Sequence, residues 1–478
     1  AETEAAAERA AAPLEVPRVV PESGDRVEPL ARRATKALAR VRLLQIFRDK
    51  RSVYSTLIMP MLFVVLAVSF KQSDANLNLV IYPPIAFGIS IIAITMQLIK
   101  DKQAKCKYVA ISQGLPVGSY WAGSFVAHYL ACLPVSLLLG AAITYQPPAG
   151  LTVDGWPLLC AMLLVYPVGI LLYAYNFSLL FSTVEVAAKV LPLCNMLLGT
   201  IPAVLVDVLV TFQGVSPSMN LWAKVVHAAM SLLNPLYGVS GMMIFLIHSP
   251  LASPAEHFLS WAAVPLYGLL LGVIMFGVNL LWQDARSRTA RPGSYKAFGD
   301  EGKDSDVLAE EGRVLQSLGP GPEEAVRYLR FSHSYRTRVQ RQWRETHAVR
   351  GISLGVRSGE CFGLLGPNGA GKTTTLAVLT GEVRPPTAGR LMVCGHDIAD
   401  AAGLAAAYRV LGVCPQVDPL WDSITGRDHL LFYGRVKGVA EAALPRVTHA
   451  LLCELGFETA DMDKAAGLYS GGMKRKLS

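Results

Sequence analysis

The sequence carries little charge for its length. Only 17% of its 478 residues are Asp, Glu, Lys or Arg, whereas 52% are hydrophobic, and soluble domains usually carry about a quarter charged residues. This imbalance predicts a membrane protein. The formal net charge of +8 would suit nucleic-acid binding, but the basic residues gather beside apolar runs and not among aromatic residues of a soluble domain. We therefore expect no nucleic acid as a partner.

Paired cysteines and a signal peptide are missing as well. The eight cysteines are scattered, with no C-x-x-C pair and no histidines at zinc-ligand spacing, so neither a disulfide framework nor a metal centre is expected. Residues 1–30 are rich in Ala, Glu and Pro and have no apolar core, which indicates a disordered tail or linker. Because the first residue is Ala1 and not Met, we expect the chain to continue upstream.

Residues 31–52 predict an amphipathic interfacial helix. Leu38, Val41, Leu44 and the pair at 46–47 fall near one helical face, and basic residues occupy the rest. Helices of this kind lie on an anionic cytoplasmic membrane surface. A solvated basic helix is the alternative.

Six apolar runs predict a polytopic membrane domain over 53–282, because about 20 helical residues cross a bilayer. The runs are 53–70, 79–99, 120–145, 156–181, 190–212 and 258–282. Basic clusters then fall on one side of the membrane, at 48–51, 100–107 and 286–291. Since Lys and Arg are enriched in cytoplasmic loops, both ends of the chain are expected in the cytoplasm.

Between the last two runs, residues 221–250 form two apolar pieces that are each too short to cross. The break at Asn234 and Pro235 predicts a re-entrant hairpin that enters and leaves from the outer side.

Three polar features lie within the predicted spans. Asp207 has either a substrate or gating role or a paired structural one. His128 is either a proton relay or a hydrogen-bonded packing residue. The triplet at 176–178 matches the glycosylation pattern, but near the cytoplasmic end of a span we interpret it as a chance match.

A polar linker at 283–326 precedes a region, 327–478, in which short apolar runs alternate with turn signals. "GPNGAGKT" at 366–373 fits the P-loop pattern between an expected strand at 361–365 and an expected helix at 373–380. Backbone amides there wrap nucleotide phosphates, while Lys372 reaches the β and γ phosphates and the Thr373 hydroxyl ligates Mg²⁺. The predicted cofactors are a nucleoside triphosphate and Mg²⁺, held by Gly366, Asn368, Gly369, Ala370, Gly371, Lys372, Thr373 and Thr374. The motif alone leaves GTPases, kinases and transport ATPases open.

The end of the chain narrows the nucleotide-binding class. "YSGGMKRKLS", "VCPQ" at 413–416 and the segments around the P-loop resemble the A subfamily of ABC transporters, over roughly 31–478. The resemblance implies an exporter-type membrane half joined to an ATPase domain, in a family that largely moves lipids and other amphiphiles. The fold class expected is therefore an α-helical polytopic membrane domain with six spans, followed by an incomplete α/β P-loop NTPase domain.

The resemblance also implies residue roles. Tyr335 would stack on adenine, with Trp343 as a rival, and Gln416 would join the Mg²⁺ shell and sense the γ phosphate, which makes it a catalytic candidate beside Lys372. Ser470, Gly471 and Gly472 would bind the nucleotide of an opposing domain, so a second transporter half or a homodimer partner is required. Segments 102–120 and 182–189 are candidates for transmitting domain closure to the spans.

Two departures from the family bear on function. The connection at 71–78 replaces a sizeable extracellular domain, and the downstream strand ending in Asp, the catalytic Glu and the switch histidine do not follow 470–478. We therefore expect the chain as written to bind ATP weakly without useful turnover and to lack central strands of its sheet. The leading interpretation is an ATP-driven half-transporter of lipid or amphiphile. The alternatives are a non-hydrolysing membrane-anchored ATP-binding component and an exporter of a small hydrophobic compound.

Overall fold

The structure is a computed structural model of the chain, and it describes residues 30–69, 75–145, 147, 155–212, 217–248, 263–288, 304–316, 324–339, 342–383 and 386–478. The expected tail at 1–30, the connection at 71–78 and the linker at 283–326 lie wholly or partly outside these residues. We refer to 30–288 as the span region and to 304–478 as the P-loop region.

Six helices within the described residues are long and apolar enough to cross a membrane. In chain order, spans 1 to 6 are Lys50–Ser69, Asn78–Gln103, Val117–Tyr145, Trp156–Leu180, Val184–Thr211 and Ala263–Gln283. They coincide with the six predicted runs, although the predicted start of the sixth, at 258–262, lies outside the described residues. The polytopic helical fold predicted from hydropathy is confirmed.

Shorter helices complete the span region. They are α1 (Leu30–Arg48), α2 (Cys106–Ser112), α3 (Pro217–Leu233) and α4 (Tyr237–His248). The break between α3 and α4 falls at the predicted position, where the Asn234 side chain accepts a hydrogen bond from the Leu236 amide at 3.1 Å. With 12 residues, α4 reaches about 18 Å at the helical rise per residue and is too short to cross. A re-entrant path from the outer side stays a prediction.

Some prolines inside the spans leave a carbonyl oxygen without its helical hydrogen-bond donor. A side chain from a neighbouring element then donates to that oxygen. Pro60 has no amide hydrogen, so the carbonyl of Thr56, four residues earlier, loses its helical donor. A π-helical turn, Tyr54–Ile58, marks this point, and the Ser90 hydroxyl of span 2 donates to that carbonyl at 3.1 Å. In a bilayer core without water, such a replacement donor is what makes an interior proline tolerable.

At two further prolines a side-chain donor also replaces the missing backbone amide. Ser240 donates to the Val80 carbonyl oxygen, which lacks its helical donor because of Pro84. Asn234 donates to the Leu198 carbonyl oxygen, which lacks its helical donor because of Pro202. Both donors belong to the α3–α4 hairpin, and the acceptors lie in spans 2 and 5. These bonds therefore fix the hairpin to two different spans.

Among its described residues, the P-loop region has one antiparallel sheet of four strands in the order β2–β1–β3–β4. Its strands are β1 (Glu324–Val339), β2 (Gln342–Arg357), β3 (Ala388–Val393) and β4 (His396–Asp397). Its helices are α5 (Ser305–Gln316), α6 (Lys372–Leu379), α7 (Ala401–Val410), α8 (Gly426–Lys437), α9 (Leu444–Glu454), α10 (Thr459–Met462) and α11 (Gly471–Leu477). Tyr328, Phe331 and Leu391 of the sheet pack with Val378 of α6 in a small core.

The run expected as a strand before the P-loop is irregular instead. Residues 361–365 form no strand, and Leu365 is 91% exposed. A strand is stable only when neighbouring strands satisfy its backbone groups and cover its side chains. No described strand lies beside this run, so the expectation of a strand at 361–365 is wrong for this structure.

Helix α1 lies between span 3 and α8, and it approaches span 3 very closely. A Cβ placed on Gly123 of span 3 would lie 2.7 Å from the Thr35 carbonyl oxygen of α1. Leu38 and Val41, on the predicted apolar face, are buried against protein. Three residues differ from the expected amphipathic pattern: Arg42 and Gln45 are buried, whereas Phe47 is 59% exposed. The reason is that α1 packs on protein from two sides, so its burial does not follow a single membrane-facing stripe.

The apolar core is continuous between the two regions. Trp421, Ile424, Phe432 and Val436, in and just before α8, belong to the same buried cluster as the side chains of the spans and α1. Apolar burial, worth roughly 25 cal/mol per Å², therefore holds α8 on the span region.

Candidate functional site

The P-loop is built by glycines in backbone conformations that other residues rarely adopt. Gly366, Gly369 and Gly371 have φ values of 151°, 87° and 86°. At Gly371 close packing adds to this requirement, because a Cβ would lie 2.6 Å from the Ala348 carbonyl oxygen of β2. The loop thus turns sharply and delivers the chain into the N-terminus of α6.

The Lys372 side chain folds back over this loop. Its ammonium group donates to the carbonyl oxygens of Gly366 and Pro367, both at 2.7 Å. A cation held over a glycine loop at a helix N-terminus is a site for anions, because the helix dipole and the backbone amides add to its charge. The donors fit a polyphosphate, and the exposed Thr373 fits a hydroxyl ligand for the Mg²⁺ that accompanies it.

Tyr335 of β1 lies beside the helix that starts in the P-loop. Its hydroxyl donates to the Thr374 hydroxyl at 3.3 Å, and its ring packs edge-on against His333 with the centroids 4.9 Å apart. Burial lowers the pKa of His333, which favours the neutral ring. Tyr335 is 37% exposed, so part of its ring is accessible to a ligand. Trp343 lies in β2, and its side chain lies outside the described residues.

The loop that carries Gln416 and the helix α11 are in direct contact. Arg475 of α11 donates to the Pro415 carbonyl oxygen and lies 3.4 Å from the Asp418 carboxylate. Gln416 itself is exposed. The structure thus places the loop next to the segment "YSGGMKRKLS" at 469–478, which we call the signature segment. The contact of Gln416 with Mg²⁺ stays a prediction.

The signature residues start α11. The Ser470 hydroxyl accepts from the Met473 amide at 3.3 Å, which caps the helix. Gly471 and Gly472 are exposed, and no atom lies within 4 Å of a Cβ built on either. This backbone is therefore open to a surface from outside the described chain.

Helix α2 joins the site to the spans. The Tyr108 hydroxyl donates to the Thr380 carbonyl oxygen at 2.9 Å, directly after α6, and Gln113 donates to the Val413 carbonyl oxygen at 3.2 Å. Lys105 also pairs with Glu382. Part of the predicted segment 102–120 thus contacts both the P-loop helix and the loop before Gln416. In the second predicted segment, 182–189, the Val184 amide donates to Gln103 of span 2 at 3.3 Å.

Sequence reasoning missed a second, buried connection between the regions. Trp421 donates from its indole nitrogen to the Asp101 carboxylate at 3.1 Å, and Asp101 also pairs with the buried Arg42. No local pattern signals this contact, since 320 residues separate Trp421 from Asp101.

The polar residues singled out within the spans are buried. His128 makes hydrogen bonds to Tyr175 at 2.7 Å and to Gln97 at 3.2 Å, as a hydrogen-bonded packing histidine would. Asn176 donates to the Phe276 carbonyl oxygen of span 6 at 3.0 Å, so it is not accessible for glycosylation in this structure. Asp207 is 9% exposed.

Comparison with known proteins agrees with this geometry. Residues 349–478 match the family model described as ABC transporter. Over 421 residues, 82% of this chain, the sequence is 30% identical to ATP-binding cassette sub-family A member 7 of Rattus norvegicus. The chain belongs to the A subfamily of ABC transporters. It is also 29% identical over 411 residues, again 82% of its length, to the retinal-specific phospholipid-transporting ATPase ABCA4 of Bos taurus.

A plant relative matches a shorter stretch of the chain at higher identity. ABC transporter A family member 7 of Arabidopsis thaliana is 52% identical over 132 residues, which is 27% of this chain and 14% of the plant protein. The alignments cover 18% of the rat protein and 17% of the bovine one. The chain thus spans less than a fifth of the length of these relatives.

Proposed function

We propose that this chain supplies one membrane half and one nucleotide-binding half of an ATP-driven transporter that moves lipid or another amphiphile. The observation that carries the proposal is a pair of direct contacts from the segment that follows span 2. Tyr108 of α2 bonds to Thr380 at the C-terminal end of the P-loop helix, and Gln113, directly after α2, bonds to the loop before Gln416. The helix that starts at the phosphate site is thereby hydrogen-bonded to the segment that follows span 2.

In this proposal the P-loop region binds ATP. Lys372 exchanges its bonds to the Gly366 and Pro367 carbonyl groups for the β and γ phosphates, while Thr373 holds Mg²⁺ and the partly exposed Tyr335 stacks on adenine. Gln416 extends toward the metal and the γ phosphate. Bound Mg²⁺ neutralises the charge that develops on the transferred phosphoryl group.

The partner in this proposal is a second nucleotide-binding domain. The open backbone of Gly471 and Gly472 next to the Ser470 cap suits the γ phosphate of a nucleotide held opposite, which requires a second transporter half or a second copy of this chain. The same arrangement places the Ser470–Gly472 segment of the partner over this P-loop.

The orientation proposed is a multi-pass protein with the P-loop region in the cytoplasm. Lys105 and Tyr108 follow span 2 and touch the P-loop region, so that end of span 2 and the nucleotide site are on one side of the membrane. Lys and Arg are concentrated there, as the positive-inside rule requires.

The cargo is inferred from chemistry and from relatives. The bovine relative is named a phospholipid-transporting ATPase. In this chain, large apolar side chains cover the outside of the spans, including Leu137 and Val278, which are 65% and 62% exposed. Such surfaces face lipid.

The proposal is tested with matched lysine variants. Lys372→Ala removes the cation over the loop, and Lys464→Ala removes an exposed lysine elsewhere in the same region. Hydrogen bonds to charged groups contribute about 1.5–3 kcal/mol, so we expect Lys372→Ala to weaken ATP binding by about 10- to 100-fold. Lys464→Ala is expected to bind like the parent, and membrane insertion is unchanged in both.

The second readout is phospholipid movement in vesicles by the full-length transporter. We expect Lys372→Ala to abolish it. Transport at the parent rate by Lys372→Ala would remove the P-loop from the mechanism. ATP binding without phospholipid movement by the parent, but with release of a small hydrophobic compound, would change the cargo.

A further inference from the structure

A chain of buried polar groups links span 3 and span 4 to the P-loop region, and Arg42 lies at its centre. From α1, Arg42 donates to the Tyr120 hydroxyl at 2.9 Å, to the Ser124 hydroxyl at 3.3 Å and to the Gln45 side-chain oxygen at 3.0 Å. Its guanidinium also pairs with Asp101 at the end of span 2. Arg42 is fully buried and Asp101 is 3% exposed, so this is a desolvated ion pair.

One branch runs from Arg42 into the spans. Gln97 donates to the same oxygen of Gln45 at 2.8 Å, and its own oxygen accepts from His128 at 3.2 Å. The other ring nitrogen of His128 then accepts from the Tyr175 hydroxyl at 2.7 Å. Tyr175, His128 and Gln97 each donate toward α1, and Arg42 donates to the same Gln45 oxygen from the other side.

The other branch reaches the P-loop region. The second oxygen of the Asp101 carboxylate accepts from the Trp421 indole nitrogen at 3.1 Å. Trp421 is itself fixed, since its backbone amide donates to His429 at 3.0 Å and its ring stacks on the His429 ring at a centroid distance of 5.5 Å. His429 in turn bonds to the Thr425 carbonyl oxygen at 2.8 Å. We call the set Tyr175, His128, Gln97, Gln45, Arg42, Asp101 and Trp421 the bridging network.

Burial distinguishes this connection from two exposed ion pairs between the regions. The side chains of Arg48 and Lys105, which pair with Asp428 and Glu382, are 41% and 40% exposed and can exchange their partners for water at little cost. The Asp101 carboxylate cannot replace a lost partner by water, because it is buried and its charge would be left uncompensated. If Trp421 moves, Asp101 must follow it or lose a buried hydrogen bond.

Proton transfer along the same path is not supported. The Gln45 and Gln97 amides separate His128 from Arg42, and a guanidinium does not release its proton in proteins. The network is suited to transmitting position.

We propose that Asp101 and Trp421 are positioning residues that transmit movement of the P-loop region to spans 3 and 4 through the bridging network. The inference rests on the proposed function, in which nucleotide binding moves the P-loop region. It assigns the transmission to a buried carboxylate, in addition to the contacts of Tyr108 and Gln113.

The test uses amide hydrogen exchange of the full chain in lipid nanodiscs, with and without a non-hydrolysable ATP analogue. Trp421→Phe keeps an aromatic ring but removes the indole donor, and Asp101→Asn keeps the shape of the carboxylate but removes its charge. The matched control is Tyr433→Phe. The Tyr433 ring stacks on the Trp421 ring with the centroids 6.4 Å apart, and its buried hydroxyl has no hydrogen-bond partner in the described structure. Removing that hydroxyl therefore changes the same cluster of rings without breaking a bond of the bridging network. Peptides covering 363–380 report nucleotide binding, and peptides covering 120–131 report span 3.

We expect the analogue to change exchange at 363–380 in all four proteins. At 120–131 we expect the analogue to change exchange in the parent and in Tyr433→Phe. We expect no such change in Trp421→Phe and Asp101→Asn. An equal change at 120–131 in Trp421→Phe, or none there in the parent, overturns the inference and leaves the proposed function standing. No change at 363–380 in the parent overturns the proposed function, and the inference with it.

Discussion

Tyr108 of α2 donates a hydrogen bond to the carbonyl oxygen of Thr380, the residue that ends the P-loop helix α6. The last carbonyl groups of a helix have no donor within the helix, so a side chain from the span region completes the end of α6. Burial raises the pKa of Tyr108, which keeps its hydroxyl protonated and able to donate.

Removing this donor is expected to loosen the contact between the regions. Tyr108→Phe keeps the ring and removes the hydroxyl, which contacts both the carbonyl oxygen and the hydroxyl of Thr380. One hydrogen bond contributes about 0.5–1.5 kcal/mol to the free energy of unfolding, so we expect a loss of at least that size. Thermal unfolding in detergent measures the loss. Tyr54→Phe is a suitable control, because Tyr54 is 54% exposed on span 1. An equal effect of both substitutions would show that the Tyr108 hydroxyl makes no specific contribution.

Breaking the buried ion pair is expected to be far more damaging than breaking an exposed one. Arg42→Met leaves the Asp101 carboxylate buried without its cation, which costs about 3–5 kcal/mol, whereas Arg48→Ala at the exposed pair with Asp428 costs less than about 1 kcal/mol. Thermal unfolding of both variants gives the comparison. Adding Asp101→Asn to Arg42→Met is expected to restore part of the loss. A double variant less stable than Arg42→Met would argue against an uncompensated charge.

The stability of the P-loop region is expected to fall in mild acid because of His429. Burial lowers the pKa of His429 to about 4 from an ordinary value of 6.5, although its bond to the Thr425 carbonyl oxygen acts in the opposite direction. Between these values the unfolded chain binds a proton that the folded chain does not. Stability is therefore full above pH 6.5 and decreases as the pH falls toward 4, by roughly 3 kcal/mol at most.

Unfolding of His429→Gln between pH 7.5 and 4.5 tests this assignment. The variant is expected to be less stable at neutral pH and to show a smaller dependence on pH than the parent. His449→Gln, at an exposed position of α9, is expected to keep the parental pH dependence. If the stability of His429→Gln depended on pH as steeply as that of the parent, another group would be responsible for the titration.

Two glycines of the P-loop are expected to differ in their tolerance of alanine. Gly369 and Gly371 have similar positive φ values, but nothing lies within 4 Å of a Cβ on Gly369, whereas a Cβ on Gly371 meets the Ala348 carbonyl oxygen. Both substitutions carry the backbone strain of about 1–2 kcal/mol, and only Gly371→Ala adds a clash. We expect ATP binding to survive weakly in Gly369→Ala and to be lost in Gly371→Ala, measured by equilibrium binding. Equal binding by the two variants would contradict the packing argument.

Local signals in the sequence predicted the spans and the P-loop helix. An apolar run of 20 or more residues specifies a spanning helix without reference to any other part of the chain, and Gly371 followed by Lys372 specifies the start of α6. The break at Asn234 is local for the same reason, since Asn234 caps its own turn.

Features that depend on distant parts of the chain were not predictable in this way. The basic pattern of α1 suggested that Arg42 faces outward, yet its partner Asp101 ends a different helix. The run at 361–365 is apolar enough for a strand, but a strand requires neighbours, which its own composition does not reveal. Pairing across hundreds of residues leaves no periodicity for sequence reasoning to detect.

Three prolines of the spans restrict how the chain can be altered. Pro60, Pro84 and Pro202 each leave one carbonyl oxygen that a side chain from a neighbouring element fills, as Ser90 does for Thr56. Replacing Pro60 alone returns the carbonyl to its own helix and leaves the Ser90 hydroxyl without its acceptor, while replacing Ser90 alone leaves the carbonyl without that donor. We therefore expect a chimera of two such transporters to fold best when each of these prolines and its donor come from the same parent.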